Sequence, residues 1–185
     1  MDNISLNHII EGCQRGERSA QRILYDKYNR ILMSICYRYS KSEAEDLLQM
    51  SFVKIFQNIE KYTGSGSFEG WMKRITVNTA ITYYNKKSVL KYSEDISDHN
   101  ENFSHHSADV ISSISADDLV EVINELPDIY RIPFNLYAIE GYKHHEIAEM
   151  MDISEGTSKS QVSRARKMIQ NKLSTLAEME NSRQL

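Results

Sequence analysis

Apolar residues recur at steps of three and four along most of the chain, which is the period of an α-helix with one buried face. The pattern predicts one helix within residues 18–40 and a second whose start is marked by Ser42 and Glu45, spaced as in a capping box. A third helix is predicted from about Phe68 to Lys87. The expected core positions of these helices are Leu24, Tyr28, Ile31, Leu32, Ile35, Tyr39, Leu48, Phe52, Ile55, Phe56, Ile59, Trp71, Met72, Ile75 and Ile81.

The longest interruption of the helical pattern covers residues 89–114, where the sequence is polar, acidic and aperiodic. Such a composition is typical of a linker. Helical periodicity then resumes, with a break at Pro127 and another at Gly141, and no alternating β-pattern of useful length appears. We therefore predict an all-α chain of two small helical domains, residues 1–88 and 115–185, joined by a flexible acidic linker.

Composition narrows the class of protein. The 185 residues include no apolar run near the length of a membrane span, and the first residues lack the basic-then-apolar order of a secretory signal. The two cysteines, Cys13 and Cys36, are too few for a disulfide scaffold and have no metal-ligand spacing. We expect a cytoplasmic protein that does not insert into a membrane.

Charge is distributed unevenly along the chain. The formal net charge is −4, but residues 91–130 alone carry −9. Residues 71–90 and 156–172 contain basic side chains and no acid. Because local basic patches determine attraction to phosphate, the negative total does not exclude nucleic-acid binding. Solvated helix faces are the alternative interpretation of each basic stretch taken alone.

A helix-turn-helix is predicted near the carboxyl end. Residues 144–151 form a short helical pattern, the next three residues turn the chain, and Ser154 precedes a longer basic helix. Ala148 is small enough for a close helix crossing, and Ile153 is placed to fill the turn. An ordinary αα-hairpin has the same outline, but the cap, the small residue and the basic helix together favour DNA binding.

Motifs in both predicted domains resemble one family, the bacterial extracytoplasmic-function sigma factors. Near the carboxyl end the similarity to region 4 covers Leu126-Pro127-Asp128-x-Tyr130-Arg131, Glu140-Gly141, Glu146-Ile147-Ala148, Ile153-Ser154-x-Gly156-Thr157 and Arg164-Ala165-Arg166. In the first domain the similarity to regions 2.2, 2.3 and 2.4 covers Ala44-Glu45-Asp46-Leu47-x-Gln49-x-x-Phe52 and Phe68-x-x-Trp71-Met72-x-x-Ile75-x-x-Asn78.

The resemblance implies a non-catalytic function, which is to direct core RNA polymerase to promoters and start transcription. It implies core polymerase, duplex promoter DNA and the melted non-template strand as partners, and an anti-sigma factor as inhibitor, with no cofactor. Asp46, Gln49 and Phe52 share a helix face at steps of three, and by resemblance this face docks on the polymerase clamp. Phe52 fits a core position equally well.

Two further sets of residues are expected to contact DNA. The glycine-containing loop at residues 64–67 lets the backbone approach a flipped base, and Asn78 offers both a donor and an acceptor. The downstream-promoter candidates are Gly64, Ser65, Gly66, Ser67, Lys73, Arg74, Asn78, Lys86 and Lys87. The upstream-promoter candidates on the basic helix are Thr157, Ser158, Lys159, Ser160, Gln161, Arg164, Arg166 and Lys167.

The chain departs from the family pattern in each domain. Thr82 and Asn85 stand where the family often has Asp and Arg. In the basic helix, Ser158 replaces a β-branched apolar residue and Gln161 replaces Arg. These differences affect the expected promoter sequence and leave the class unchanged.

Two other functions are weighed against this one. A stand-alone helix-turn-helix regulator would bind duplex operator without polymerase, most often as a dimer, but no dimerisation heptad is present. A metal hydrolase would need clustered ligands, and adjacent histidines such as His105–His106 and His144–His145 lack the required spacing. We expect no metal site and no catalytic residue.

Overall fold

The computed structural model describes residues 5–91 and 116–183, and all regular structure within those two stretches is helical, which confirms the predicted all-α class. The predicted linker falls almost wholly outside the described residues, except that the fourth helix continues to Lys91. The α-helices of the described stretches are α1 (Leu6–Gln14), α2 (Arg18–Tyr39), α3 (Ala44–Asn58), α4 (Phe68–Lys91), α5 (Ala116–Asn124), α6 (Asp128–Ala138), α7 (His144–Met151) and α8 (Glu155–Arg183).

The first structural unit ends at Lys86 and opens with a tight crossing of α1 and α2. The backbone turns between them at Gly16, which has a φ of +75°. An added Cβ on Gly12 would lie 2.7 Å from the Ala20 Cβ and 2.9 Å from a Glu17 carboxylate oxygen. Because no real Cβ approaches another that closely, glycine at position 12 determines the distance between the two helices.

We expect the substitution Gly12→Ala to lower the free energy of unfolding by about 1–3 kcal/mol, because the added methyl group overpacks the α1–α2 contact. Urea unfolding followed by circular dichroism measures this loss. The matched control is Gly70→Ala within α4, where an added Cβ would meet only the Ser67 Cβ at 3.7 Å. Equal stability of the two variants would contradict the tight crossing.

The predicted start of the second long helix is wrong by one residue. The helix α3 begins at Ala44, so its cap position is Glu43 and not Ser42, and no side chain caps it. The Ser40 hydroxyl instead hydrogen-bonds the Glu43 carboxylate across the turn. The capping box inferred from Ser42 and Glu45 is therefore absent.

The core of the first unit follows the predicted stripes with a few exceptions. Ile31 lies at the exposed edge of α2, and Phe56, Trp71 and Ile75 are only half-buried. Leu47 is buried although it was not among the expected core positions. The remaining expected core residues are buried: Leu24, Tyr28, Leu32, Ile35, Tyr39, Leu48, Phe52, Ile55, Ile59, Met72 and Ile81.

In the second unit α8 is the helix against which α5, α6 and α7 all pack. Its buried residues recur at steps of three and four, so a single stripe faces the other helices. The apolar cluster formed between α5, α6 and α8 consists of Val122, Ile123, Leu126, Tyr130, Ala165, Ile169 and Leu173.

A buried arginine fixes the turn between α5 and α6. The Arg131 guanidinium donates to the Asn124 and Leu126 carbonyl oxygens and to the Asp128 carboxylate, which lies three residues earlier on the same helix. Charge-assisted bonds of this kind are the stronger class of hydrogen bonds. They fix the position of α6 and therefore that of the aromatic residue Tyr137 near its end.

Candidate nucleic-acid and partner interfaces

The exposed face of α3 carries two of the three residues predicted there. Asp46 and Gln49 are both exposed, whereas Phe52 is 4% exposed and belongs to the core. Its ring lies 4.7 Å from that of Tyr25 on α2 and 5.9 Å from that of Phe56, measured between centroids. A surface contact for Phe52 is therefore wrong in this structure, because α2 covers its ring.

A different apolar residue occupies the exposed face. Val53 is 54% exposed and lies one turn beyond Gln49, and Asp46 lies one turn before Gln49. A solvent-exposed valine beside an amide and a carboxylate is an ordinary composition for a protein-binding patch. The exposure of Val53 could have been predicted from the sequence, because Val53 falls outside the apolar stripe of α3. The docking contact was instead predicted for the adjacent residue, Phe52.

The loop before α4 is held in a defined shape. Gly64 and Gly66 have φ values of +79° and +82°, a conformation that favours glycine, and nothing lies within 4 Å of where a Cβ would stand on either. The Tyr62 hydroxyl donates to the Gly66 carbonyl oxygen over 2.8 Å. The Ser67 hydroxyl accepts from the Gly70 amide at the start of the helix. The predicted loop residues 64–67 are all exposed.

Three aromatic rings lie immediately beside this loop. Trp71 stacks on Phe68 with centroids 5.5 Å apart and planes at 24°, and Tyr62 contacts both rings. Phe68 is buried, whereas Tyr62 and Trp71 are half-buried. Both Trp71 and Met72 were expected in the core; Met72 is fully buried, but Trp71 is only half-buried, so the prediction is wrong for Trp71. Tyr62 was not predicted as a site residue.

Along α4, three of the predicted residues share an exposed stripe. Arg74, Asn78 and Lys86 are exposed and separated by one or two helical turns. Lys73 is half-buried and forms an ion pair with Glu69 over 2.7 Å. Lys87, the next residue after Lys86, is half-buried. Arg74, Asn78 and Lys86 thus form the accessible polar surface that begins at the glycine loop.

The predicted helix-turn-helix is present as α7 and α8. The chain leaves α7 through Asp152, the one residue other than glycine with positive φ among those described, and the Ile153 amide donates to the Ala148 carbonyl oxygen over 3.0 Å. The Ser154 hydroxyl accepts from the Thr157 amide over 3.0 Å and therefore caps α8 as expected. Thr157 is half-buried at this cap, with its hydroxyl 2.8 Å from that of Ser154.

The candidate residues of α8 separate into accessible and inaccessible ones. Ser158 is completely buried, so a DNA contact for its side chain is wrong. Its hydroxyl lies 3.0 Å from the His144 Nδ1, which satisfies a polar group at a position that faces the core. Gln161 is half-buried, and its Oε1 is shielded from solvent without a hydrogen-bond partner among the described atoms. The exposed candidates are Lys159, Ser160, Arg164, Arg166 and Lys167.

One of these exposed cations is already neutralised. Lys159 Nζ lies 2.6 Å from a Glu155 carboxylate oxygen, one helical turn away. The hydrogen bond and the charge of Lys159 lower the pKa of the Glu155 carboxyl. Among the residues that the structure describes, no carboxylate pairs with Arg164 or Lys167. The free positive charge of α8 therefore lies beyond its first turn.

We expect the substitution Glu155→Gln to tighten binding of duplex DNA by about two- to fivefold at low salt, because it removes a carboxylate that repels phosphate and competes for Lys159. Fluorescence anisotropy with a labelled duplex measures the change. Glu125→Gln is the matched control. It also removes a carboxylate that pairs with a lysine of α8, since Glu125 lies 2.5 Å from Lys172, but Lys172 is far from the amino-terminal end of that helix. Unchanged or weaker binding by Glu155→Gln would show that Lys159 does not face the duplex.

A stacked pair of rings connects α6 to α7 and α8. The Tyr137 and His144 rings lie 4.4 Å apart between centroids, with planes at 14°. The Arg166 guanidinium carbon lies 5.3 Å from the centroid of the Tyr137 ring. The four side chains Ser158, His144, Tyr137 and Arg166 are therefore in continuous contact.

Two absences hold for the described stretches alone. No helix of residues 5–91 or 116–183 is long and apolar enough to cross a membrane. No group of three or more His, Cys, Asp or Glu side chains there is arranged to hold a metal ion. His99, His105 and His106 lie outside those stretches.

Comparison with known proteins gives two family matches and several relatives. Sigma-70 region 2 matches residues 24–89, and sigma-70 region 4 matches residues 116–169. The extracytoplasmic-function RNA polymerase sigma-E factor of Haemophilus influenzae is 32% identical over 179 residues, covering 91% of this chain and 95% of the relative. The sigma-E factor of Escherichia coli K12 is 30% identical over 181 residues, covering 91% and 94%.

Two solved structures are similar at lower identity. One is the sigma factor RpoE of Bartonella quintana in complex with the anti-sigma factor NepR, which is 22% identical with a TM-score of 0.47 and covers 81% of this chain and 94% of that chain. The other is CnrH in complex with the cytosolic domain of CnrY, which is 16% identical with a TM-score of 0.44 and covers 92% and 96%.

Proposed function

The chain belongs to the extracytoplasmic-function group of RNA polymerase sigma factors, and from that membership we propose how its described surfaces share the work of starting transcription. It directs core RNA polymerase to specific promoters. The observation that carries this function is the 32% identity to a sigma-E factor over nearly the whole of both chains. The sigma-70 region 4 match lies within the second structural unit, and the region 2 match covers most of the first unit and ends three residues beyond it.

The polymerase-binding surface is assigned to the exposed face of α3. Asp46 and Gln49 are polar residues on one face, and Val53 adds an apolar side chain to it. Both polar side chains remain in water in the free protein, so a partner gains their hydrogen bonds without disrupting the core. Phe52 supports this face from beneath through its contact with Tyr25.

The downstream promoter element is assigned to the loop at residues 64–67 and the adjoining stripe of α4. A melted base needs a backbone that it can approach closely and an aromatic face on which it can stack. Gly64 and Gly66 provide the first, and the half-buried rings of Tyr62 and Trp71 lie beside them. Among the predicted contacts, we assign base recognition to Asn78. We assign binding of the phosphate backbone of the non-template strand to Lys73, Arg74, Lys86 and Lys87.

The upstream promoter element is assigned to α8. Its capped amino-terminal end and its exposed basic residues fit the major groove and the flanking phosphates. Arg164, Arg166 and Lys167 supply most of the available positive charge, and Ser160 and Gln161 supply hydrogen-bonding groups near the amino-terminal end. Ser158 is assigned a structural role.

The remaining expectations concern chemistry, location and regulation. The polymerase carries out nucleotide addition, so we assign no catalytic residue and no cofactor to this chain. Its place of action is the cytoplasm, where core polymerase is found. An anti-sigma factor that covers the polymerase-binding or DNA-binding surfaces is the expected inhibitor, and the resemblance of the sequence to the family supports this partner.

Reconstituted transcription tests the function. The purified chain is added to bacterial core RNA polymerase with genomic DNA from the organism that encodes it, and the 5′ ends of the transcripts are mapped. We expect discrete start sites that share two upstream sequence elements and are absent with core polymerase alone. A stand-alone regulator would instead bind duplex DNA without polymerase and give no new start sites.

A further inference from the structure

Tyr137 lies outside both helices of the helix-turn-helix but contacts a DNA-binding candidate on one of them. It stands near the end of α6 and is half-buried. The guanidinium of Arg166 lies over its ring at 5.3 Å, within the range of a cation–π contact. Arg166 is exposed, and no carboxylate of the described residues pairs with it.

An exposed arginine without such a contact samples many rotamers, and holding it in one of them costs side-chain entropy. A cation–π contact at an exposed site offsets part of that cost before DNA arrives, which corresponds to about two- to fivefold in affinity. The guanidinium carries five N–H donors at its edge, and a ring that attracts the cation does not need them as hydrogen-bond partners, so they remain available for a phosphate.

The tyrosine ring is itself held from the side of α7. The His144 imidazole stacks on it at 4.4 Å, and the Nδ1 atom of the same imidazole lies 3.0 Å from the buried Ser158 hydroxyl. A hydroxyl with no exposure to solvent needs that partner, which fixes the imidazole in place. The series of contacts therefore begins and ends on α8, and Tyr137 joins its amino-terminal turn to Arg166.

We propose that Tyr137 is a positioning residue for DNA binding, which orders the Arg166 guanidinium for a backbone phosphate of the upstream promoter element. The inference rests on the proposed function of α8, because it requires that Arg166 contacts DNA. The role belongs to the aromatic face of Tyr137 and not to its hydroxyl. Phenylalanine is therefore an adequate replacement and leucine is not.

A double-mutant cycle tests the role. The full chain and the variants Tyr137→Leu, Arg166→Ala and their combination are titrated with a labelled random-sequence duplex of about two helical turns. A random sequence suffices because phosphate contacts do not depend on base identity. We expect Tyr137→Leu to weaken binding by about two- to fivefold when Arg166 is present and to have no effect in the Arg166→Ala background.

Two controls separate positioning from a general structural effect. Tyr137→Phe should bind as the unchanged protein does, and Gln170→Ala, an exposed neutral change one turn beyond Arg166, should leave affinity unaltered. Thermal unfolding shows which variants remain folded. If Tyr137→Leu does not fold, Tyr137→Met takes its place in the cycle, since its flexible side chain fills a similar volume.

The outcomes distinguish this inference from the proposed function. Arg166→Ala should reduce the salt dependence of log affinity by about 1, as expected for one lost phosphate contact. An unchanged salt dependence would overturn both the assignment of Arg166 to DNA and the role of Tyr137. A reduced salt dependence, together with an equal cost of Tyr137→Leu in both backgrounds, would overturn the role of Tyr137 alone.

Discussion

Replacing both Asp46 and Gln49 with alanine is expected to weaken binding of core RNA polymerase by about 10- to 100-fold, which is about 1.4–2.7 kcal/mol for the pair and corresponds to one interface hot spot. Both side chains are exposed on α3 and neither contributes to the core. The far-ultraviolet circular dichroism of the double variant should therefore match that of the unchanged chain. Surface plasmon resonance with immobilised core polymerase measures the affinity.

Asp26→Ala provides the matched control for this experiment. It also removes an exposed carboxylate, but from α2, where Asp26 faces Arg22 at 3.8 Å. Equal loss of affinity in the control and the double variant would indicate a general effect of charge, and full affinity of the double variant would remove the docking surface from α3. Phe52→Ala does not test docking, because loss of a buried phenylalanine costs about 3–5 kcal/mol of stability.

Removing the three exposed cations Arg164, Arg166 and Lys167 together is expected to weaken upstream-promoter binding by about a hundredfold or more, since each charge-assisted contact contributes about 1.5–3 kcal/mol. The slope of log affinity against log salt should fall in magnitude by about 3, because three fewer counterions are released. Anisotropy titrations at several salt concentrations, with a duplex from a mapped start site, measure both quantities.

Lys172→Ala is the control for the loss of positive charge. Lys172 lies on the same helix, but Glu125, the residue after α5, neutralises it over 2.5 Å, so its removal should leave the salt slope unchanged. Lys159→Ala should change the slope less than Arg164→Ala, because Glu155 pairs with Lys159. If the triple variant retains the original slope, the basic residues of α8 form a solvated face and do not bind DNA.

Helical periodicity was sufficient to predict the long helices of the first unit and the helix-turn-helix of the second, but it did not predict α1, which lies before the first predicted helix. It failed where burial depends on a second helix. Phe52 and Val53 are adjacent apolar residues, and only the presence of Tyr25 on α2 determines that Phe52 is covered. Position along one helix does not contain that information.

Among the candidate DNA-binding residues too, burial that depends on a second helix was not predicted. The exposed basic residues of α8 are evident from the sequence, whereas Ser158 was predicted to contact DNA because its hydrogen-bonding side chain lies in the first turns of the basic helix. Its burial depends on a histidine fourteen residues earlier, which supplies the hydrogen bond. The aromatic cluster beside the glycine loop was also missed, because Tyr62 follows the predicted helix and belongs to no periodic pattern.

The inward position of Ser158 limits how this protein can be engineered to read new promoters. A combinatorial library that randomises every residue in the first two turns of α8 would include many unfolded members, because any bulky or charged residue at position 158 enters the core. A library restricted to Ser160, Gln161, Ser163 and Arg164 would vary accessible or partly accessible positions while Ser158 and His144 are kept constant. Conversely, combined changes at positions 158 and 144 would alter the free energy of unfolding of the second unit. The residues that face DNA would stay the same in such variants.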